Sequence, residues 1–131
     1  MNHKELALKA REAQNGSYSP YSKFRVGAAL LTKSGEVVLG ANVENASYGL
    51  SICAERTAFV KAISEGKKEF SAIAVVGDMD EFCTPCGACR QFMDEFCGKE
   101  FEIVLINSKD ELKILKMNEI LPFSFNGEHL V

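Results

Sequence analysis

The segment with the clearest chemical content is Pro85-Cys86-Gly87-Ala88-Cys89. Pro85 stands where a helix would begin, and two cysteines three residues apart present their sulfurs on one face of a first helical turn. That arrangement suits two ligands of a tetrahedral zinc ion, which binds sulfur at about 2.3 Å. The spacing by itself is equally compatible with a redox pair or with two packed cysteines.

A second segment, Ser51-Ile52-Cys53-Ala54-Glu55-Arg56, places a cysteine at the predicted start of another helix. Helical neighbours two residues apart point about 200° away from each other. Cys53 and Glu55 can therefore face one site only if Cys53 lies at or just before the first turn, with Ser51 near the cap. Alone, the segment also fits a buried cysteine followed by a surface Glu-Arg pair.

Together the two segments match the pattern of zinc deaminases, in which a Cys or His ligand and a non-ligand Glu precede P-C-x-x-C. The pattern predicts one Zn²⁺ per chain, bound by Cys53, Cys86 and Cys89, with Glu55 as the catalytic acid-base. Three protein ligands leave a fourth position for water, which is typical of a catalytic zinc site. Cys83 could instead close the site as a fourth, structural ligand.

Composition limits the classes of protein that fit. The chain has 131 residues, 47% of them hydrophobic and 25% charged, which predicts a single globular domain over 1–131. Five cysteines without an export signal favour metal binding over disulfides and suggest the cytoplasm. The net charge of −3 and scattered cations argue against a nucleic-acid polymer as partner, and no apolar run predicts a membrane span.

Hydrophobic periodicity and turn residues predict the order α-β-β-α-β-α-β followed by a tail. The first two strands form a hairpin around Lys33–Glu36, so the sheet of this layered α/β domain should be mixed. The predicted helices span 2–15, 53–65, 86–96 and, in a short turn, 116–121. The predicted strands span 24–31, 36–43, 71–77 and 102–107, and the tail 123–131 reads as irregular.

Four ordered stretches resemble the small homotetrameric cytidine deaminase family over essentially the whole chain: Tyr18–Ala28, Asn42–Glu55, Pro85–Gln91 and Leu121–Phe125. The resemblance implies a three-layer α/β/α domain whose mixed sheet has a fifth strand at 112–115. It implies hydrolysis of cytidine and 2′-deoxycytidine to uridine, 2′-deoxyuridine and ammonia, as in pyrimidine salvage. In that reaction zinc-bound hydroxide attacks C4 while Glu55 shuttles protons.

The same resemblance assigns substrate contacts within one chain. It implies that Asn42 and Glu44 bind the ribose 3′-hydroxyl, that the backbone of Ala54 reads the base edge, and that Phe24 packs on the base. From its place in a strand, Phe24 is equally compatible with an ordinary core residue.

Other assigned residues concern assembly. The resemblance implies that Ala46, Tyr48 and Phe125 reach a neighbouring subunit's site, and hence a homotetramer with shared sites.

Arg56 is expected to stand behind the metal ligands, because three thiolates over-neutralise Zn²⁺ and charge-assisted bonds from a guanidinium would offset the excess. A solvated surface arginine is the alternative for Arg56.

Three other functions remain open from the residues. A blasticidin-type deaminase shares the size and the C-x-E…P-C-x-x-C pattern, although Asn42–Asn45 and Arg56 favour cytidine. A polynucleotide deaminase would need a basic, aromatic-lined groove, which the sequence does not indicate. A zinc-stabilised binding module without activity is disfavoured by Glu55 and by the missing fourth ligand.

Overall fold

The structure is a computed structural model that describes residues 1–130. Within them, four α-helices accompany one five-stranded sheet, so the fifth strand implied by the resemblance is present. The helices are α1 His3–Ala13, α2 Ala54–Ser64, α3 Gly87–Phe96 and α4 Met117–Ile120. The strands are β1 Val26–Thr32, β2 Val37–Ala41, β3 Phe70–Gly77, β4 Glu102–Ile106 and β5 Leu112–Lys116.

The sheet has the order β2-β1-β3-β4-β5, and it is mixed, as predicted. Only β3 and β4 run parallel, while the other neighbours pair antiparallel. Alternating side chains of β1 enter opposite layers: Ala29 packs with α1, whereas Ala28 and Leu30 pack with α2. Helix α1 covers one face and α2, α3 and α4 cover the other, which confirms the three-layer α/β/α fold.

Close packing of α2 on the sheet depends on Gly40 in β2. A Cβ atom at Gly40 would lie 2.5 Å from the backbone nitrogen of Ala58 and 2.6 Å from the carbonyl oxygen of Ala54. Because no side chain fits there, the α2 backbone lies directly on β2. This contact fixes the first turn of α2 beside the end of β2.

The segments that contain the motifs lie together at one end of the sheet, where β1 begins and β2 and β3 end. The start of β1 faces the end of β3 through the pair Val26–Gly77, and it faces the end of β2 through Gly27–Ala41. The segment before β1 and the loops after β2 and β3 therefore converge. They do so because β1 runs antiparallel to both of its neighbours.

The structure corrects several predicted boundaries. Strand β1 begins at Val26, because the Phe24 carbonyl and the Arg25 amide bond to side chains instead of a neighbouring strand. Lys116 ends β5 instead of opening the last helix. The tail, predicted as irregular, forms a 3₁₀ turn at Gly127–Leu130, and Val131 lies outside the described residues. No helix among residues 1–130 is long and apolar enough to cross a membrane.

Candidate active site

Three cysteine sulfurs lie close together at the end of the sheet where β1 begins. The Sγ atoms of Cys53, Cys86 and Cys89 all lie within 4.8 Å of one another, with 4.0 Å between Cys53 and Cys86 and 3.5 Å between Cys86 and Cys89. A tetrahedral zinc ion bound to sulfur at 2.3 Å would hold its ligands about 3.8 Å apart. The cluster therefore fits zinc without rearrangement.

Two helix starts place these sulfurs. Cys53 is the N-cap of α2 and Cys86 is the N-cap of α3, both with extended backbone, and Cys89 lies in the first turn of α3. Neither N-cap sulfur makes a capping hydrogen bond to its helix, so both sulfurs remain available to a metal. The partial positive charge of a helix N-terminus also favours the thiolate form that binds metals.

The charge of the cluster is balanced by Arg56. Its Nη2 atom lies 3.4 Å from the Cys53 sulfur, which is the position expected for a guanidinium that offsets excess thiolate charge. Hydrogen bonding from Cys89, followed by the contact with Arg56, lowers the pKa of Cys53 to about 5. Cys53 is therefore a thiolate at neutral pH, ready to attract a cation.

Glu55 is the second residue of α2 and has only 4% of its surface exposed. Burial, reinforced by the nearby negative charge of Cys53, raises the pKa of its carboxyl group to about 6. A carboxyl group with such a pKa can both accept and return a proton near neutral pH.

A cleft of about 420 Å³ opens beside the cluster. Its lining includes the sulfur-bearing Cys53 and Cys86 together with six other residues singled out in the sequence: Asn42, Glu44, Tyr48, Ala54, Glu55 and Arg56. The cleft has room for a small polar ligand. The structure thus brings two of the three sulfurs, the buried acid and the expected sugar-binding residues into one space.

Residues to which the sequence assigned no substrate contact complete the cleft: Val26, Ser51, Ile52, Cys83 and Thr84. The sulfur of Cys83 is not part of the three-sulfur cluster, so the structure gives no support to a four-cysteine structural site. Burial raises the pKa of Cys83 to about 11, and its thiol stays protonated at neutral pH. Proximity to Cys86 in the chain was the signal that the sequence offered for Cys83 and Thr84, whereas the other three lie within the matched stretches.

Three of the expected substrate residues do not line this cleft, namely Phe24, Ala46 and Phe125. A Cβ atom at Gly77 would lie 2.8 Å from Phe24 Cζ and 3.0 Å from Cys83 Sγ, so the Phe24 ring lies next to a residue of the lining. Ala46 is exposed. Phe125 is 59% exposed and stacks on His129 at 5.3 Å between ring centroids.

The Asn42 side chain uses most of its hydrogen-bonding capacity on other residues of the same chain. Its Oδ1 atom accepts hydrogen bonds from the Val26 amide at 2.9 Å and from the Ser17 hydroxyl, and its Nδ2 atom donates to the Phe24 carbonyl at 2.9 Å. A primary amide has two donor hydrogens and two acceptor lone pairs. One N–H of Asn42 remains unused among the described residues.

The Glu44 carboxylate also makes most of its hydrogen bonds within the chain, and it has an acceptor position left where Asn42 has a donor. Its Oε1 atom accepts from the amides of Tyr21 and Ser22 at 3.1 Å each, and its Oε2 atom accepts from the Ser22 hydroxyl. These bonds lower the pKa of Glu44 and leave one acceptor position on Oε2 within the described part of the chain. Asn42 and Glu44 therefore offer one donor and one acceptor between them, which is what a single hydroxyl group requires.

Fold and site together define a three-layer α/β/α protein with a cluster of three cysteine sulfurs that could hold a metal ion and a buried acid beside it. The family model described as "Cytidine and deoxycytidylate deaminase zinc-binding region" matches residues 1–105. The chain belongs to this family. The family is zinc-binding, and the sulfurs of Cys53, Cys86 and Cys89 are positioned to hold such an ion.

Individual relatives agree over nearly the whole chain. A cytidine deaminase from Halalkalibacterium halodurans is 48% identical over 130 residues, covering 99% of this chain and 98% of the relative. A probable cytidine deaminase from Dictyostelium discoideum is 49% identical, covering 100% and 90%. The crystal structure of a cytidine deaminase from Burkholderia pseudomallei has a TM-score of 0.92 and 47% identity, covering 95% of this chain and 100% of that one.

Proposed function

We propose that this protein hydrolyses the 4-amino group of cytidine and 2′-deoxycytidine, releasing ammonia and leaving uridine or 2′-deoxyuridine. The observation that carries the proposal is the buried carboxyl group of Glu55 in a cleft that two sulfurs of the three-cysteine cluster, Asn42 and Glu44 also line. The names of the relatives support it, as does the family to which the chain belongs.

Zinc, when bound, supplies Lewis acidity and a water molecule whose pKa is lowered to about 7. Glu55 accepts one proton of that water and delivers it to N3 of the pyrimidine ring. It then passes the second proton to the 4-amino group, which leaves as ammonia. The water oxygen becomes the 4-oxo group, so atoms and protons balance with Glu55 returned to its starting state.

The sugar is recognised by the two residues with unfilled hydrogen-bonding positions. The remaining N–H of Asn42 donates to the ribose 3′-hydroxyl, and that hydroxyl donates to Glu44 Oε2. Ribose and 2′-deoxyribose both carry this hydroxyl, so the contact accepts either nucleoside. The backbone of Ala54 reads the base edge, and the Phe24 ring packs on the base.

The substrate is a free nucleoside and not a nucleotide or a polynucleotide. Among the residues that line the cleft in the described part of the chain, Arg56 is the one cation, and it already contacts the Cys53 sulfur. A phosphate group would need further positive charge there. Glu44 would repel it. This substrate class suits a role in pyrimidine salvage in the cytoplasm.

The decisive experiment adds cytidine to the zinc-loaded protein and follows ultraviolet absorbance and released ammonia together. Conversion by the wild-type protein but not by Glu55→Gln is the expected result. Blasticidin S and a cytosine-containing oligonucleotide serve as parallel substrates. Turnover of either one without turnover of cytidine would overturn the proposal.

We propose in addition that the active assembly is a homotetramer whose sites are shared between subunits. Tyr48 lines the cleft of its own chain and packs against the Tyr21 ring, yet 77% of its surface is exposed. Phe125 does not line that cleft, and 59% of its surface is exposed. Large exposed aromatic side chains are typical of interface anchors. In an assembly, Ala46, Tyr48 and Phe125 would close the cleft of a neighbouring subunit.

Complementation tests the shared site directly. Glu55→Gln and Phe125→Ala subunits are co-expressed with different tags, and the mixed oligomers are isolated. If Phe125 serves a neighbour's site, mixed oligomers contain sites with both wild-type residues, and kcat/KM should exceed that of either parent. Activity no higher than the average of the parents, or a fully active monomer by sedimentation, would contradict a shared site.

A further inference from the structure

Residues 21–25, which lead into β1, are held by side chains and not by a strand ladder. The amides of Tyr21 and Ser22 donate to Glu44 at 3.1 Å, and the Phe24 carbonyl accepts from Asn42 at 2.9 Å. Few bonds therefore determine where the Phe24 ring lies. Those just named come from Asn42 and Glu44 in the segment after β2.

The backbone of this segment is also strained. Lys23 has φ of +60°, a left-handed conformation that residues other than glycine seldom adopt. Such a conformation persists only where the surrounding structure enforces it. Its neighbour Phe24 donates its amide to the Ser22 hydroxyl at 3.0 Å, so the turn on that side depends on Ser22.

The other side of the segment is fixed by Asp78, which directly follows β3. Its Oδ2 atom accepts from both the backbone amide and the Nε of Arg25 at 2.9 Å, and its Oδ1 atom accepts from Arg25 Nη2 at 3.0 Å. Gln14 joins the group, donating to the Arg25 carbonyl at 3.1 Å and to Asp78 at 3.4 Å. One carboxylate thus connects α1, β3 and the residue next to Phe24.

This arrangement differs from an ordinary surface ion pair, which contributes little. The two parallel bonds to the guanidinium fix its orientation, and the bond to the Arg25 amide acts on the backbone itself. Because Phe24 precedes that amide and its ring lies beside Gly77 and Cys83, movement at Arg25 displaces the ring at the edge of the cleft.

We propose that Asp78 is a positioning residue, which acts through Arg25 to hold Phe24 where the base of the nucleoside binds. The inference rests on the proposed function for its kinetic consequence. Asp78 does not line the cleft that contains Glu55, so its effect is on binding and not on proton transfer.

The test substitutes Asp78→Asn in the zinc-loaded enzyme. Asn keeps the shape but loses the charge and one of the acceptor oxygens. KM for cytidine should rise about tenfold while kcat stays within about twofold, because a misplaced binding group weakens orientation without touching the reacting atoms. Arg25→Gln should have the same effect, and the double variant should be no worse than either single variant.

Asp110→Asn is the matched control. Asp110 also accepts from an arginine, Arg11, at 2.8 Å, but that pair does not contact Phe24 or the cleft. Asp110 has φ of +63°, which asparagine tolerates, so the control should fold and keep its KM. A rise in KM equal to that of Asp78→Asn would overturn the positioning role.

Hydrogen exchange supplies a readout that needs no turnover. In Asp78→Asn, the backbone amides of residues 22–26 should exchange at least several-fold faster, while those of β4 stay unchanged. A variant with normal KM and normal protection there would overturn the inference. If wild-type protein releases no ammonia from cytidine, the proposed function fails, and exchange at these amides alone decides the role of Asp78.

Discussion

The three-cysteine cluster with Glu55 and the exposed aromatic residues Tyr48 and Phe125 differ in how far the fold buries them. Cys89 and Glu55 are buried on the first turns of two helices, and those helices are packed on the sheet. Tyr48 and Phe125 lie on a loop and a tail, with 77% and 59% of their surfaces exposed. The difference shows that one chain brings the reacting groups together by its own packing, and it motivates the proposal that a second chain encloses the ligand.

Removing a metal ligand should have the largest effect. Cys86→Ala takes away one of three sulfurs, and we expect loss of stoichiometric zinc and of all measurable turnover. Metal analysis of the purified protein measures this. Cys83→Ala is the control, since Cys83 lies outside the cluster and should leave one zinc per chain. Full zinc occupancy in Cys86→Ala would contradict the ligand set.

Glu55→Gln should separate chemistry from metal binding. Glutamine keeps the size of the side chain but cannot carry protons, so kcat should fall by at least about 10²–10⁴-fold while zinc remains bound. Glu44→Gln makes the same substitution at the sugar position and should chiefly raise KM. A near-normal kcat in Glu55→Gln would remove Glu55 from its role.

Arg56→Gln tests whether the metal centre needs charge compensation. The contact with Cys53 is a charge-assisted bond, and bonds of this kind contribute about 1.5–3 kcal/mol. We expect kcat to fall about tenfold or more with zinc retained at high zinc concentration. Arg11→Gln, remote from the cleft, is the control. Unchanged kinetics in Arg56→Gln would leave Arg56 a structural residue only.

Phe125→Ala addresses the aromatic region and should have the smallest effect. Zinc content should be unchanged, and KM should rise about three- to tenfold, because in the proposed assembly one wall of the neighbour's cleft loses its aromatic contact. Phe123→Ala offers a matched control in the same tail, since Phe123 is fully exposed. Equal effects of the two substitutions would argue for a general role of the tail in assembly.

Each half of the site could be predicted because the residues within each motif are close in the chain. Cys86 and Cys89 are one helical turn apart, and Cys53 and Glu55 share one helix start, so spacing and capping constrain their geometry locally. The alternation of β1 and its hairpin with β2 likewise follow from the sequence. The predicted start of β1 was wrong at Phe24, since distant side chains take its hydrogen bonds.

What the sequence determined by itself is the set of candidate residues, three cysteines and an acid, and the order of the elements on which they lie. Only the tertiary structure decided how Asn42 and Glu44 divide their hydrogen bonds, and that Asp78 holds Arg25 from 53 positions away. The physical reason is the separation along the chain between the residues that interact. Helix caps and strand alternation are local, whereas a side-chain hydrogen bond depends on which segments the sheet brings together.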